Sequence, residues 1–242
     1  MKKSLVLLLI SSLVSGLYAR QPRTVVEPPF AFRNSGTLEI ERIELALEST
    51  TVYIQAYFRP HNWIRISSET YIRAGAEGEK LTVRSADGMP LDTEFYMPET
   101  GRHDFSLSFP PVDPKTAKID LIESDCPDCF KIYDIDLTGK KAKPGRSALA
   151  KKYKKTVPLT ENFTAPIVSD SPARIAGAIT GYDPRFFDRI EIAFYSPIVG
   201  DGATELKVPV HADGSFETEL NILTPICGTL FLPGFVTLPF YA

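Results

Sequence analysis

The sequence predicts an all-β protein: two antiparallel β-sandwiches of immunoglobulin-like kind joined by a basic linker. Three observations carry this reading. Short runs of alternating apolar and polar residues recur at sandwich spacing. No long segment keeps a helical period. Twenty Pro and fifteen Gly punctuate a chain with 10 Tyr and 15 Phe. The 242 residues suit one large domain or two small ones, and 43% hydrophobic with 24% charged residues can fill ordinary cores. A formal charge of −3 argues against a nucleic-acid partner.

Residues 1–19 read as a signal peptide. Met1-Lys2-Lys3 is basic, Ser4 to Val14 is apolar apart from serines, and Ser15-Gly-Leu-Tyr-Ala19 offers a cleavage site. The apolar run is too short for a spanning helix. Export to the periplasm or the outer cell envelope follows as an expectation. Cleavage would remove Lys2 and Lys3 and leave a charge of −5.

Arg20 to Phe32, with Pro22, Pro28 and Pro29, reads as an extended lead-in. The first sandwich is expected over 24–139. Leu38 and Ile40 alternate with Glu39 and Glu41; the phase then slips, and Ile43, Leu45 and Leu47 continue on the other parity. A one-residue slip in an alternating run predicts a β-bulge at Glu41-Arg42. Further strands are expected at 51–58, 62–66, 69–73, 79–85, 104–109, 117–123 and 130–137. Turns fall at Gly75–Gly78, Asp87-Gly88 and Pro110-Pro111.

Residues 140–171 form the linker. Its stretch 140–155, KKAKPGRSALAKKYKK, holds eight basic residues and no acid, between a segment of −9 (24–139) and one of −6 (156–242). It is a solvated connection or a contact for an anionic surface. Gly139 to Ser147 only echoes a phosphate loop: the spacing is too long and no strand–helix unit frames it.

The second, smaller sandwich is expected over 172–242. Its strands are Arg174–Thr180, Arg189–Ser196, Thr204–Val210, Ser215–Ile222 and Thr229–Leu232. His211-Ala-Asp213-Gly214-Ser-Phe216 is a hairpin signal, with Asp-Gly supplying positive φ. Residues 220–242 carry no charged side chain. Pro225, Pro233 and Pro239 exclude a spanning helix there. The stretch reads as buried strands, or as a core cut off mid-sheet.

The sharpest chemical motif is Cys126-Pro-Asp-Cys129. Strands are expected on both sides, which puts the pair in a hairpin turn rather than at a helix N-terminus. Asp125 and Asp128 would raise a neighbouring thiol, not activate it. A disulfide across the turn is the plainest reading for an exported chain. Free thiols, a zinc site and a thiol–disulfide oxidoreductase using Cys126/Cys129 are the alternatives. Zinc lacks a second ligand pair. Cys227, in an apolar stretch, reads as a buried thiol. His61, His103 and His211 have no partner at metal-ligand spacing, and no G-x-S-x-G elbow is present. No cofactor, metal or catalytic residue is expected.

Tyr53 and Tyr57 share one side of strand 51–58 around Gln55, and Trp63 and Tyr71 follow on the next strands. Such a face can stack on sugars or anchor a protein, or it packs against another sheet.

Residues Thr37–Leu45, Phe58–Ile66, Phe95–Glu99 and Ile122–Ile132 resemble the non-catalytic N-terminal region of exported bacterial thioredoxin-like thiol–disulfide oxidoreductases of the TlpA type. The resemblance spans 24–140, and more loosely 172–232. In that family the redox centre is a C-terminal thioredoxin fold with Trp-Cys-x-x-Cys; here Trp63 stands next to no Cys. The resemblance therefore implies a non-catalytic accessory or interaction protein. A free-standing module binding a glycan or an envelope protein is the alternative.

Overall fold

The computed structural model describes residues 22–126, 129–139, 171–195, 202–222, 224–233 and 236–241. The expected signal peptide, nearly all of the basic linker and the residues between Cys126 and Cys129 lie outside them. The fold is all-β, with no helix among the described residues.

Twelve strands form the first body: β1 (Arg23–Val26), β2 (Phe32–Arg33), β3 (Leu38–Leu45), β4 (Thr50–Tyr57), β5 (Trp63–Ile64), β6 (Tyr71–Arg73), β7 (Leu81–Thr82), β8 (Ser85–Asp87), β9 (Phe95–Tyr96), β10 (Arg102–Phe109), β11 (Lys118–Ile122) and β12 (Lys131–Asp136). Six form the second: β13 (Ala173–Ala178), β14 (Arg189–Tyr195), β15 (Ala203–Pro209), β16 (Ser215–Leu220), β17 (Cys227–Leu232) and β18 (Val236–Tyr241).

The first body is a sandwich of two five-stranded sheets, in the orders β1-β3-β4-β10-β8 and β2-β12-β11-β6-β7. Alternation decides what lies between them. On β4, Thr50, Val52, Ile54 and Ala56 point inward; on β10, Phe105, Leu107 and Phe109 do. They meet Ile72, Ile119, Leu121, Ile132 and Ile135 from the other sheet. The expected bulge is present. Ile40 pairs with Ile54 and Arg42 with Tyr53, so Glu41 is the extra residue. The strands expected at 62–66 and 79–85 are shorter, as β5 and as β7 with β8. The Pro-rich lead-in is recruited: β1 pairs with β3, and β2 with β12.

A second bulge lies between β11 and β12. Ile119 pairs with Ile135, and Leu121 with Ile132. Asp134 takes a left-handed backbone there, φ 54°, and its N–H donates to the Asp120 carboxylate at 3.0 Å. The bulge turns Tyr133 outward while Ile132 and Ile135 stay inside.

β11 is buried on both faces after Lys118, because the second body covers its outer side. The connection between β13 and β14 carries Phe186, whose ring stacks on Phe32 with centroids 4.9 Å apart and lies 5.6 Å from Tyr133. Tyr71, Ile122 and Tyr133 are sealed beneath it.

The second body opposes a two-stranded sheet (β13-β16) to a four-stranded one (β15-β14-β17-β18). Its core is Ile190, Ile192, Phe194, Val208, Phe216, Leu220, Ile226 and Leu230. The Asp213-Gly214 turn forms as expected, with Gly214 at φ 83°. Pro239 sits in β18, an edge strand, where a missing N–H is tolerated. Cys227 is exposed, not the buried thiol expected. It alternates with the buried Gly228 and Leu230 and faces outward beside Tyr241 in the ladder.

Candidate functional site

The residues of the expected aromatic face do not form one surface. Tyr53 and Tyr57 do share the outer face of β4 with Gln55, as alternation requires. Tyr53 is already engaged: its hydroxyl donates to Glu44 at 3.0 Å, and the Arg42 guanidinium lies 3.5 Å from its ring centroid. Tyr57 is exposed, and its hydroxyl bonds Gln55, which donates to Asp104 at 2.9 Å. Tyr71 is the clear correction. It belongs to the other sheet and is 4% exposed, because Phe186 and the bulged Tyr133 cover that face. Burial pushes its hydroxyl up from the ordinary tyrosine value, and the group donates to Asp125 at 3.0 Å.

Trp63 acquires a different neighbour. It lies in the short ribbon β5–β9, directly opposite Tyr96. Residues paired in this way project to the same side, with Cβ atoms about 5 Å apart. Trp63 is 48% exposed and Tyr96 60%. The opposite face of the ribbon anchors it. Ile64 enters the core, and Phe95 packs against the tilted ring of His103 on β10 at 4.1 Å between ring centroids. Two backbone bonds, His61 N–H to Met97 O (3.0 Å) and Met97 N–H to Asn62 O (2.9 Å), extend the ribbon. The Tyr96 hydroxyl donates to Glu94 at 2.9 Å, and His61 pairs with Glu99 at 2.9 Å. Two aromatic rings are thus held in water by a fixed backbone, with polar groups beside them.

Tyr96 was the residue that sequence reasoning missed. The inward–outward alternation of Phe95, Tyr96 and Met97 was visible, but only the pairing of β5 with β9 puts Tyr96 beside Trp63.

A cavity of about 210 Å³ adjoins this ribbon. Leu38, Phe58, Ile64, Ile66 and Phe130 give it apolar walls, and Arg65 and Glu123 add charge. Glu123 accepts from the Phe130 N–H at 3.3 Å. Burial pushes its carboxyl up, against the backbone N–H bonds from Phe130 and Ser67 and the smaller pull of Arg65. A larger cavity of about 380 Å³, bounded by Arg23, Leu45, Leu47, Pro111 and Pro114, carries Asp113 as its acid.

Cys126 and Cys129 are joined as a disulfide in the loop between β11 and β12. Neighbouring bonds fix this loop. Asp125 receives Tyr71 and Lys80 (2.8 Å), and the Cys129 carbonyl accepts from the Asn34 side chain at 2.8 Å. The Asp125 carboxyl lies below its ordinary value, chiefly through its bond to Lys80. No helix flanks either sulfur among the described residues.

No family model matches the chain, and no curated protein matches it. Solved structures give distant likenesses. The pullulanase from Anoxybacillus sp. LM18-11 aligns with 80% of this chain at 9% identity and a TM-score of 0.30. The type I pullulanase from Bacillus subtilis str. 168, complexed with maltose, aligns with 80% at 6% identity and 0.28. The chain spans about a quarter of the length of those proteins, 24% and 23%. These likenesses assign no activity.

Proposed function

We propose that this chain is an exported, non-catalytic glycan-binding accessory module of the cell envelope, with Trp63 and Tyr96 as its contact surface. One observation carries the reading: two large aromatic side chains stand directly opposite each other on a short ribbon, both well exposed. Such rings offer flat apolar area at small cost in side-chain entropy. The CH face of a sugar ring fits that area, while its hydroxyls need polar neighbours; Glu94, already accepting from Tyr96, and the His61–Glu99 pair are the polar groups nearest in the chain.

The non-catalytic part is supported by the state of the cysteines. Cys126 and Cys129 are bonded to each other between strands β11 and β12, and the described residues around them hold no helix N-terminus of the kind that lowers a thiol pKa. The resemblance of residues 24–140 to a region without a redox centre agrees with an accessory role. Export rests on the pattern of residues 1–19.

A glycan array tests the reading. The expected result is retention of the wild-type chain on a subset of glycans, lost in the W63A/Y96A double variant with an unchanged circular dichroism spectrum. Equal retention of the double variant, or binding to envelope proteins alone, would overturn it.

A further inference from the structure

The geometry points to the cavity beside Trp63 as the subsite for one neutral pyranose residue of the bound glycan; this rests on the glycan reading of the Trp63–Tyr96 ribbon. Three features converge on that ligand class.

The first is size. At about 210 Å³ the cavity falls below the range of ordinary small-molecule pockets, roughly 300–1,000 Å³. It accommodates one sugar ring and leaves the rest of a chain outside.

The second is the division of its walls. Phe58, Ile64 and Phe130 present carbon, and Phe58 is 40% exposed, so its ring is open to a ligand. Thr37, Arg65 and Glu123 present polar atoms. A pyranose has the same division, a CH face and a hydroxyl edge. Arg65 can only donate and an ionised Glu123 can only accept, so the pair complements hydroxyl groups, which do both. Arg65 is exposed and makes no hydrogen bond or ion pair among the described residues, its charge acting only at longer range on Glu123 and Asp92, so its N–H groups can still donate to a ligand.

The third is charge. One cation and one carboxylate on the same cavity favour a neutral ligand. A uronate would gain Arg65 but meet Glu123, and an amino sugar would gain Glu123 but meet Arg65, so the cavity favours neither charge.

The cavity and the ribbon are continuous along the chain. Trp63 and Arg65 are both exposed, while Ile64 and Ile66 between and after them are buried. Alternation therefore puts Trp63 and Arg65 on one side of the segment. Arg65 then lies about 7 Å along the segment from Trp63 on that side.

Isothermal titration of the full chain against neutral gluco-, manno- and galacto-configured hexasaccharides tests this, with a hexagalacturonate as the charged comparison. The expected result is binding of at least one neutral hexasaccharide. R65A, a change at an exposed position, then weakens it about tenfold or more, as the loss of hydrogen bonds to a charged donor implies, and F58A also weakens it. If R65A and F58A bind as the wild type does while W63A/Y96A does not, the cavity is no subsite and the ribbon stands. Tighter binding of the hexagalacturonate would overturn the neutral class. Failure of every saccharide would overturn both the subsite and the glycan reading.

Discussion

Arg185, in the connection between β13 and β14, donates to Asp120 on β11 at 3.2 Å, and the Asp120 side chain is only 1% exposed. The same guanidinium reaches Asp134 at 3.1 Å and Asp183 at 2.9 Å, and Arg73 supplies a second cation to Asp120 at 3.2 Å. With Lys118 on Asp134, three acids meet three bases. Hydrogen bonding to Asp183 is the chief reason the Arg185 guanidinium holds its proton more tightly than usual. Phe186 seals the cluster against Phe32 and Tyr133. A charge pair and an aromatic stack thus lock two separate cores together.

Arg185→Ala should therefore uncouple the two sandwiches without unfolding either, since each has its own core. Asp120 keeps Arg73 and Asp134 keeps Lys118, so the cost should lie below the ~3 kcal/mol of leaving a buried charge unpaired. Calorimetry should show one transition becoming two, and small-angle scattering a larger radius of gyration. Arg185→Lys should rescue little, because an ammonium cannot reproduce the fork. A single unshifted transition in both variants would contradict this role.

The disulfide should contribute modestly. Its cysteines are three positions apart, so the loop-entropy contribution is about 2 kcal/mol, roughly 4–8 °C in melting temperature for a chain of this size. Reduction should lower the midpoint by that much and leave the strand signal intact, because Asn34, Tyr71 and Lys80 still hold the loop. The chain should not reduce insulin. Steady insulin turnover would contradict the non-catalytic reading.

Glu123 should give stability a pH signature. Burial raises its folded pKa above the ordinary value of about 4.3. The folded state thus holds the proton more tightly than the unfolded one. That advantage is complete below about pH 4.3 and is lost as pH rises through the folded pKa. Glu123→Gln does not lose it. The variant should melt above the wild type at pH 7, and the difference should vanish near pH 3.5. A pH-independent difference would refute the burial effect.

Gly214 should resist substitution. Its φ is 83°, and a Cβ there would lie 2.5 Å from the Ile179 carbonyl oxygen. Gly214→Ala should cost more than about 1 kcal/mol in denaturant unfolding, whereas a change below half that would show that the turn relaxes.

This turn also marks what local sequence can reveal. The Asp213-Gly214 hairpin and the Glu41 bulge were legible because each is written in a few adjacent residues, as a positive-φ pair and a parity slip. The lead-in strands β1 and β2 were not, since neither alternates clearly on its own and the partner of β2, β12, lies about a hundred residues on. Tyr71 misled for the same reason: its alternation told that it had a face, but the cover on that face comes from Phe186, more than a hundred residues away. Arg185 and Phe186 were overlooked inside a stretch that reads as a turn, although two adjacent phenylalanines in a charged loop were a visible sign of docking. Cys227 showed the opposite error, an apolar neighbourhood taken for burial when the parity of β17 turns its side chain out.

The most direct test of the central claim uses the chain's single tryptophan, Trp63, as its own reporter. It is half-exposed now. Titration with a glycan retained on the array should shift its fluorescence to the blue and saturate, and Tyr96→Ala should weaken the response. Retention of that glycan with no change in Trp63 emission would mean that the ligand binds elsewhere, and the account would fail.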